Sequence, residues 1–383
     1  MNSNPRPKAL ASLLTPCLVL DEVKFNANIA RLQSTAARRG IAFRPHLKTA
    51  KSRHIARICA DTFGKRAMVS TLQEIEQLRG CGLEDFLYSV AIVPSKFERV
   101  GSLLAADCRV TVAVDSVPVA AELVAFCVRT KKHIPAVIEL DLDGHRSGVA
   151  PTDAELLLAI GEVLHGAGLL RGVMAHAGES YELADDGALA SCARNEADCT
   201  TLAAQTLQDA GFAVELVTIG STPTALSGET HRGVTELRAG AFVFFDMVQA
   251  GIGVCEPKDI AISVLATVIA NNKQSGAVII DAGWMALSRD RGTAEQAVDF
   301  GYGQVCLEDG TILADVLVVD AQQEHGVVKP RAGSSKTLPD LAPGTLLRIL
   351  PNHACATAAQ HDRYQLIGEA GDVTAEWPRF AGW

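Results

Sequence analysis

Eight short β-rich runs, at residues 41–44, 67–70, 86–91, 110–114, 136–140, 170–175, 214–219 and 235–245, alternate with helical patterns at 22–39, 71–80, 116–131, 153–164 and 188–210. Strands separated by helices pair in parallel through crossovers. Eight such units predict a closed TIM-like (β/α)8 barrel, with a packed interior and its chemistry at the strand C-termini. In the first helix, Val23, Ile29, Leu32 and Ala36 are expected on one apolar face.

After Asp246 the rhythm changes. I-S-V-L-A-T-V-I-A, A-V-I-I-D-A, V-L-V-V-D and T-L-L-R-I-L are short, β-branched and separated by Gly, Pro and Asp, the pattern of an all-β domain. At 383 residues the chain is too long for one ordinary core. The expected division is a barrel over 21–250 and a β domain over 251–383, with residues 1–20 contributing to the latter. T-P-C-L-V-L-D is a candidate strand lent from that N-terminal segment.

The net charge of −9 argues against a nucleic-acid partner and leaves no basic patch for an anionic membrane. No apolar run approaches the roughly 18 residues of a membrane span, and the N-terminus has no signal-peptide core. Ten cysteines are scattered without a C-x-x-C pair, as in an intracellular protein with reduced thiols, so the expected location is cytoplasmic.

Polar residues gather at the predicted strand ends. The first strand runs into R-P-H-L-K-T-A-K, with Lys48 and Lys51 where a helix should begin. Either lysine is a solvated surface residue, or one is an amine at the barrel mouth that holds a carbonyl cofactor. Arg146 follows the fifth strand, His176 and Tyr181 the sixth, and G-S-T-P-T the seventh. Gly220, Ser221 and Thr222 in that last turn suit a phosphate, with glycine admitting close approach and hydroxyls nearby, or make an ordinary polar turn. R-A-G, Arg238 to Gly240, could complete such a cradle.

In P-N-H-A-C-A-T, His353 and Cys355 are two apart. On an extended strand they would share a side, where imidazole and thiolate can hold one borderline-soft divalent metal. The alternative is a coincidental core pair. Q-Q-E-H-G, with His325, is a second polar cluster that also reads as a hairpin turn.

R-P-H-L-K-T, H-A-G-E-S-Y, G-S-T-P-T, D-A-G-W, Q-E-H-G and P-N-H-A-C-A-T occur in this order along nearly the whole chain. Together they resemble the D-serine dehydratase and D-threonine aldolase family. The resemblance implies an alanine-racemase-type barrel that binds pyridoxal 5'-phosphate (fold type III), followed by a C-terminal β domain. It makes Lys48 the lysine that holds the cofactor covalently and the base at the substrate Cα. It places Arg146 near the cofactor's phenolic oxygen and Tyr181 beside its ring. Gly220, Ser221 and Thr222, with Gly240 and Ala241, would bind the phosphate. His353 and Cys355 would bind a divalent metal that assists departure of a β-hydroxyl. Family aldolases typically carry H-x-D where this chain has H-A-C, which favours dehydration and favours zinc over manganese or magnesium.

The implied substrate is a D-β-hydroxy amino acid. Hydroxyaspartate would give oxaloacetate and serine would give pyruvate, each with ammonia. The alternative reaction is aldol cleavage to glycine and an aldehyde; a non-catalytic cofactor carrier would lack the second domain. His325, Arg289 and Arg291 are candidates to meet a β-carboxylate. A homodimer is implied by the same resemblance.

Overall fold

Short β-branched runs pair in parallel when a helix returns the chain to the same end. In the computed structural model, residues 8–105, 108–183, 185–229 and 232–383 are described. Strands β1 (Lys8–Ala9) and β2 (Cys17–Asp21) lead into helix α1 (Glu22–Arg39). Then β3 (Ala42–Pro45), α2 (Arg53–Phe63), β4 (Arg66–Val69), α3 (Leu72–Leu78), β5 (Asp85–Ala91), α4 (Phe97–Leu103), β6 (Arg109–Val114) and α5 (Val117–Thr130) follow. The series continues with β7 (Ala136–Leu140), α6 (Ala154–Gly166), β8 (Leu170–Ala175), α7 (Asp186–Asp209), β9 (Leu216–Ile219), α8 (Thr222–Ser227) and β10 (Glu236–Ala239).

Strands β3 to β10 form one parallel eight-stranded sheet, ordered β3-β10-β9-β8-β7-β6-β5-β4. A parallel bridge between His46 and Met68 brings its two edges together, so the barrel is nearly closed. This is the eight-stranded α/β barrel that the alternating pattern predicts. Six strands each give one residue to an apolar layer: Met68, Leu87, Ala113, Val137, Met174 and Leu216. A second layer is charged. Arg44 donates to Glu236 Oε1 at 2.8 Å and to Asp85 Oδ1 at 3.2 Å, and Thr218 Oγ1 donates to the same Glu236 oxygen at 3.1 Å.

After α9 (Met247–Gly251) come β11 (Ile262–Asn272), β12 (Ala277–Ile280), α10 (Trp284–Leu287), β13 (Gln304–Leu307), β14 (Ile312–Ala321) and β15 (Gly326–Pro330). Strand β16 (Leu346–Leu350), α11 (Ala354–Ala358), β17 (Arg363–Ile367) and β18 (Asp372–Pro378) complete the chain. These strands pair antiparallel with one another. Strand β16 pairs with both β13 and β11, which closes six strands on themselves. Strand β2 joins the same sheet, antiparallel to β11 and parallel to β17. The chain divides into two compact units: Arg31–Gly240 with Gly382–Trp383, and the described part of residues 1–30 with Ala241–Ala381.

Two local expectations are corrected. Val23 is 53% exposed, and the buried apolar positions of α1 are Phe25, Ile29, Leu32 and Ala36. At 3.6 residues per turn Val23 stands about a third of a turn from Ile29, whereas Phe25 lies four residues before it. The eighth run is also not one strand through Phe245. Pairing stops at Ala239, Gly240 follows, and Ala241–Val243 form a single 3-10 turn. No helix among the described residues is long and apolar enough to cross a membrane.

Candidate active site

Strand β3 ends at Pro45, and the turn from Leu47 to Ala50 carries the chain to α2. Lys48 lies in this turn with an exposed side chain and forms no ion pair or hydrogen bond among the described residues. Lys51 is different. Its backbone is left-handed, with φ 42°, and its Nζ lies 3.8 Å from Glu74 Oε1, a carboxylate with no solvent exposure. The two lysines of the motif are thus separated by environment: one is paired, the other is available.

The other strand ends of the barrel contribute more. Arg146 sits in the exposed turn after β7, and a Cβ added to Gly178 would lie 3.6 Å from its Nη2. Gly178 opens the 3-10 turn Gly178–Tyr181 after β8, and the Tyr181 ring centroid lies 6.3 Å from that of His176. His176 Nδ1 lies 2.8 Å from the Gly220 carbonyl oxygen, which can only accept, so Nδ1 carries the proton. Gly220 has φ 140°, and a Cβ there would fall 2.0 Å from Arg238 O, so only glycine fits.

In the same turn Ser221 caps α8. Its Oγ accepts from Thr224 N at 3.2 Å, its N donates to Thr224 Oγ1 at 3.0 Å, and Ser180 Oγ lies 2.8 Å from its Oγ. The cap therefore uses the Ser221 amide and hydroxyl. Thr222 Oγ1 is buried without a hydrogen-bond partner, an orphan that a bound acceptor or donor would satisfy. Gly240 is confined too: a Cβ would meet Thr49 Oγ1 at 3.1 Å and His46 O at 3.2 Å. Ala241, the next residue, is buried at the start of the 3-10 turn.

Arg238 is the residue at this end that its motif undersold. Its guanidinium is buried in the barrel interior, donating to Ala175 O, to Thr218 O at 3.3 Å and to Met68 Sδ at 3.2 Å, while Nε has no partner. Burial lowers its pKa to about 10 against the opposing pull of Glu196, Glu236 and Glu139. Burial, with the charges of Arg146, Arg238 and Lys48, outweighs the bond to Gly220 and holds His176 down at about 3; His46 is pushed well below its ordinary value by burial, Lys48, Arg238 and His176. Both imidazoles are neutral at neutral pH. Three cations with two neutral imidazoles make this end attractive to an anionic group. Burial raises Glu139 to about 7, though Ser147 and the neighbouring arginines oppose it and Asp115 adds to it.

In the β unit, the His353–Cys355 pair does not lie on a strand. His353 is the N-cap of α11 and Cys355 is inside the helix. The pair meets because the cap residue is extended while the next residues coil, and the two side chains share a hydrogen bond. His353 Nδ1 lies 2.6 Å from Asp290 Oδ2, which leaves Nε2 and the thiol as donors. Burial lowers the His353 pKa, but Asp290, Cys355 and Asp246 together raise it to about 11. Buried Asp246 accepts from Ala354 N at 2.8 Å and from Gln249 N at 2.9 Å, which pins the loop. Neither Asp246 nor Asp290 shows a motif in the sequence, because each reaches this loop from a distant part of the chain. No group of three or more His, Cys, Asp or Glu able to hold a metal occurs among the described residues, and the pair by itself offers at most two donor atoms. An imidazole fixed through its second nitrogen, beside a thiol, suits zinc.

His325 is exposed in the tight β14–β15 turn, where its carbonyl accepts from Gln322 N at 2.8 Å. Arg289 lies over the Trp284 ring at 3.9 Å, and Arg291 pairs with Asp299 at 2.5 Å.

Comparison with known proteins gives the family. The alanine racemase N-terminal domain family matches residues 20–248, and a serine dehydratase domain family matches residues 261–367. The chain is 45% identical to a D-threo-3-hydroxyaspartate dehydratase of Delftia sp. (strain HT23), over 98% of this chain and 99% of that one. The chain belongs to the D-serine dehydratase and D-threonine aldolase family. A D-serine dehydratase of Dictyostelium discoideum is 29% identical over 94% of this chain and 95% of its own. Among solved structures of the family, a cysteine-to-alanine mutant of D-threo-3-hydroxyaspartate dehydratase, described as in the metal-free form, superposes with a TM-score of 0.95 at 44% identity. It covers 98% of this chain and 100% of its own.

Proposed function

We propose that the protein is a pyridoxal 5'-phosphate- and divalent-metal-dependent lyase that dehydrates a D-β-hydroxy amino acid. The substrate of choice is D-threo-3-hydroxyaspartate, giving oxaloacetate and ammonia, with D-serine, giving pyruvate and ammonia, as the simpler member of the class. The observation that carries this reading is 45% identity to a D-threo-3-hydroxyaspartate dehydratase along 98% of the chain, joined to an available lysine at the end of β3.

The residues fit the cofactor. Thr222 Oγ1 is a buried orphan beside a glycine that admits no Cβ, the features of a phosphate cradle. In this reading the phosphate sits on Gly220, Thr222, Gly240 and Ala241, with Ser221 holding the turn as the cap of α8, while Arg146 meets the phenolic oxygen and Tyr181 flanks the ring. When bound, pyridoxal phosphate supplies an electron sink for charge that develops at Cα. Lys48 Nζ, exposed where Lys51 is the lysine paired with Glu74, holds the cofactor and takes the Cα proton. His46 and His176, whose pKa values burial and the neighbouring cations hold low, are weak bases and leave that proton to Lys48.

The donor set of His353 and Cys355 fits zinc, with manganese or magnesium less suited to a thiolate. When bound, the metal supplies a Lewis acid for the β-hydroxyl, a poor leaving group on its own. Asp290 orients the His353 ring for this purpose. The resemblance supports a homodimer, and ten cysteines without a disulfide support a reducing, cytoplasmic setting.

Incubation with D-threo-3-hydroxyaspartate, D-serine and D-threonine tests the reaction. Release of 2-oxo acid with ammonia is the expected result. Aldehyde with glycine would make the protein an aldolase, as in relatives named D-threonine aldolase at 28% identity.

A further inference from the structure

The N-terminal end of the barrel, opposite the strand ends that carry Lys48, holds a cavity of 610 Å3. It lies at the starts of β6 and β8 and along the turn from α5 to β7. Arg109, Lys131, Lys132, His133 and Arg171 line it, and Glu215 is the one acidic residue among the described lining. This polarity runs against the chain as a whole, whose net charge is −9. One cation at the C-terminus of α5 would be ordinary, because it meets the negative end of the helix dipole. Lys131, Lys132 and His133 all follow that C-terminus, whereas Arg109 and Arg171 come from the starts of β6 and β8, and the dipole does not account for those two.

The charged layer of the barrel interior supplies a second reason. Asp85 is approached by Arg171 at 2.9 Å, Arg44 at 3.2 Å and Arg109 at 4.0 Å. Glu236 is approached by Arg44 at 2.8 Å and Arg66 at 3.3 Å. Four guanidinium groups thus share two carboxylates, which leaves two positive charges in excess. Arg44 and Arg171 are the close partners of these carboxylates, so the excess lies on Arg66 and Arg109, 41% and 71% exposed, and of these two Arg109 faces the cavity. Arg109 and Arg171 belong both to this network and to the cavity wall, so a bound anion would meet the excess directly.

We propose that this cavity binds a multivalent oxyanion, a phosphate ester or polycarboxylate up to about nucleotide size, at a site separate from the catalytic end. Its volume falls in the range of small-molecule sites, about 300–1,000 Å3. The bound anion completes the charge balance of the barrel base and stabilises the folded protein by linkage. It makes no contact with the reacting atoms.

The test uses protein saturated with pyridoxal phosphate, so that a phosphate position at the catalytic end is already filled. Pyrophosphate and citrate are titrated by calorimetry and by thermal unfolding, against sodium chloride of matched ionic strength. At about ten times its Kd, either anion should raise Tm by about 2 °C over the salt control. A response to pyrophosphate alone identifies a phosphate ester, and a response to citrate alone a polycarboxylate. The double substitution Arg109→Gln with Lys132→Gln should weaken binding at least tenfold while leaving turnover unchanged. Should that variant fail to fold, Arg109→Gln alone serves, since its side chain is 71% exposed; it should weaken binding at least threefold. No Tm rise beyond the salt control, or unchanged affinity in Arg109→Gln, overturns the proposal.

Discussion

His353 Nδ1 lies 2.6 Å from Asp290 Oδ2 across 63 residues of sequence. A carboxylate only accepts, so the proton of a neutral His353 sits on Nδ1 and the lone pair on Nε2. The ring is thereby set in the tautomer a metal ligand needs. Asp290→Ala should weaken zinc binding by about 10–100-fold, the usual scale for loss of such a support. Asp290→Asn, whose amide oxygen still accepts, should fall between. Competition titration with a chromogenic chelator measures this, and unchanged zinc affinity in Asp290→Ala would remove Asp290 from the role.

Lys48 and Lys51 differ by one ion pair, and that difference makes a labelling prediction. Borohydride reduction of the pyridoxal-phosphate-loaded protein, followed by peptide mapping, should mark Lys48. Lys51, paired with Glu74, should stay unmodified. Lys48→Ala should lower turnover by about a thousandfold or more. A label on Lys51 would reverse the assignment.

Thr222 carries an opposed pair of expectations. Its Oγ1 is buried without a partner, an arrangement that costs about 1–3 kcal/mol where nothing satisfies it. Thr222→Val keeps the shape and removes the hydroxyl. Cofactor-free protein should therefore unfold at a higher temperature in the variant, while pyridoxal phosphate binds more weakly. If both quantities fall together, the threonine supports the turn and not the phosphate.

The architecture was legible because it rests on local pattern. Helix α1 spans Glu22–Arg39, β7 spans Ala136–Leu140 and β8 spans Leu170–Ala175, each as its periodicity predicts. What escaped was set by tertiary partners. The run after residue 235 has strand-forming residues through Phe245, yet parallel pairing ends at Ala239 and the chain turns. Helix α8 is six residues long and opens on Thr222 and Pro223, so its periodicity is too short to read. His353 and Cys355 were visible as a pair, but their placement on a helix start was not, because the cap is stabilised by Asp246 more than a hundred residues away. Arg44 was visible only as a neighbour of Lys48. Its role in the barrel interior depends on Asp85 and Glu236, which carry no motif.

That interior pair gives the last prediction. Arg171 and Arg44 both donate to Asp85, which is 10% exposed. Burial alone would raise the Asp85 pKa, but the hydrogen bond from Arg171 and the charge and hydrogen bond of Arg44 hold it well below the usual carboxylate range. A carboxylate with a depressed folded-state pKa binds fewer protons folded than unfolded, so stability rises with pH across that window. The contribution is fully present above the ordinary aspartate value of 3.8 and is lost as pH falls below it. Asp85→Asn leaves buried Arg44 with Glu236 as its one carboxylate and should destabilise the protein by about 3 kcal/mol near neutral pH, the scale for breaking a buried pair. The variant should also lose the wild-type fall in stability between pH 4 and the acid limit of folding, near pH values of roughly 2–3. Urea unfolding at several pH values measures both effects. If wild type and Asp85→Asn differ by the same amount at pH 3 and at pH 7, the ionised carboxylate is not what holds Arg44 and Arg171 in place.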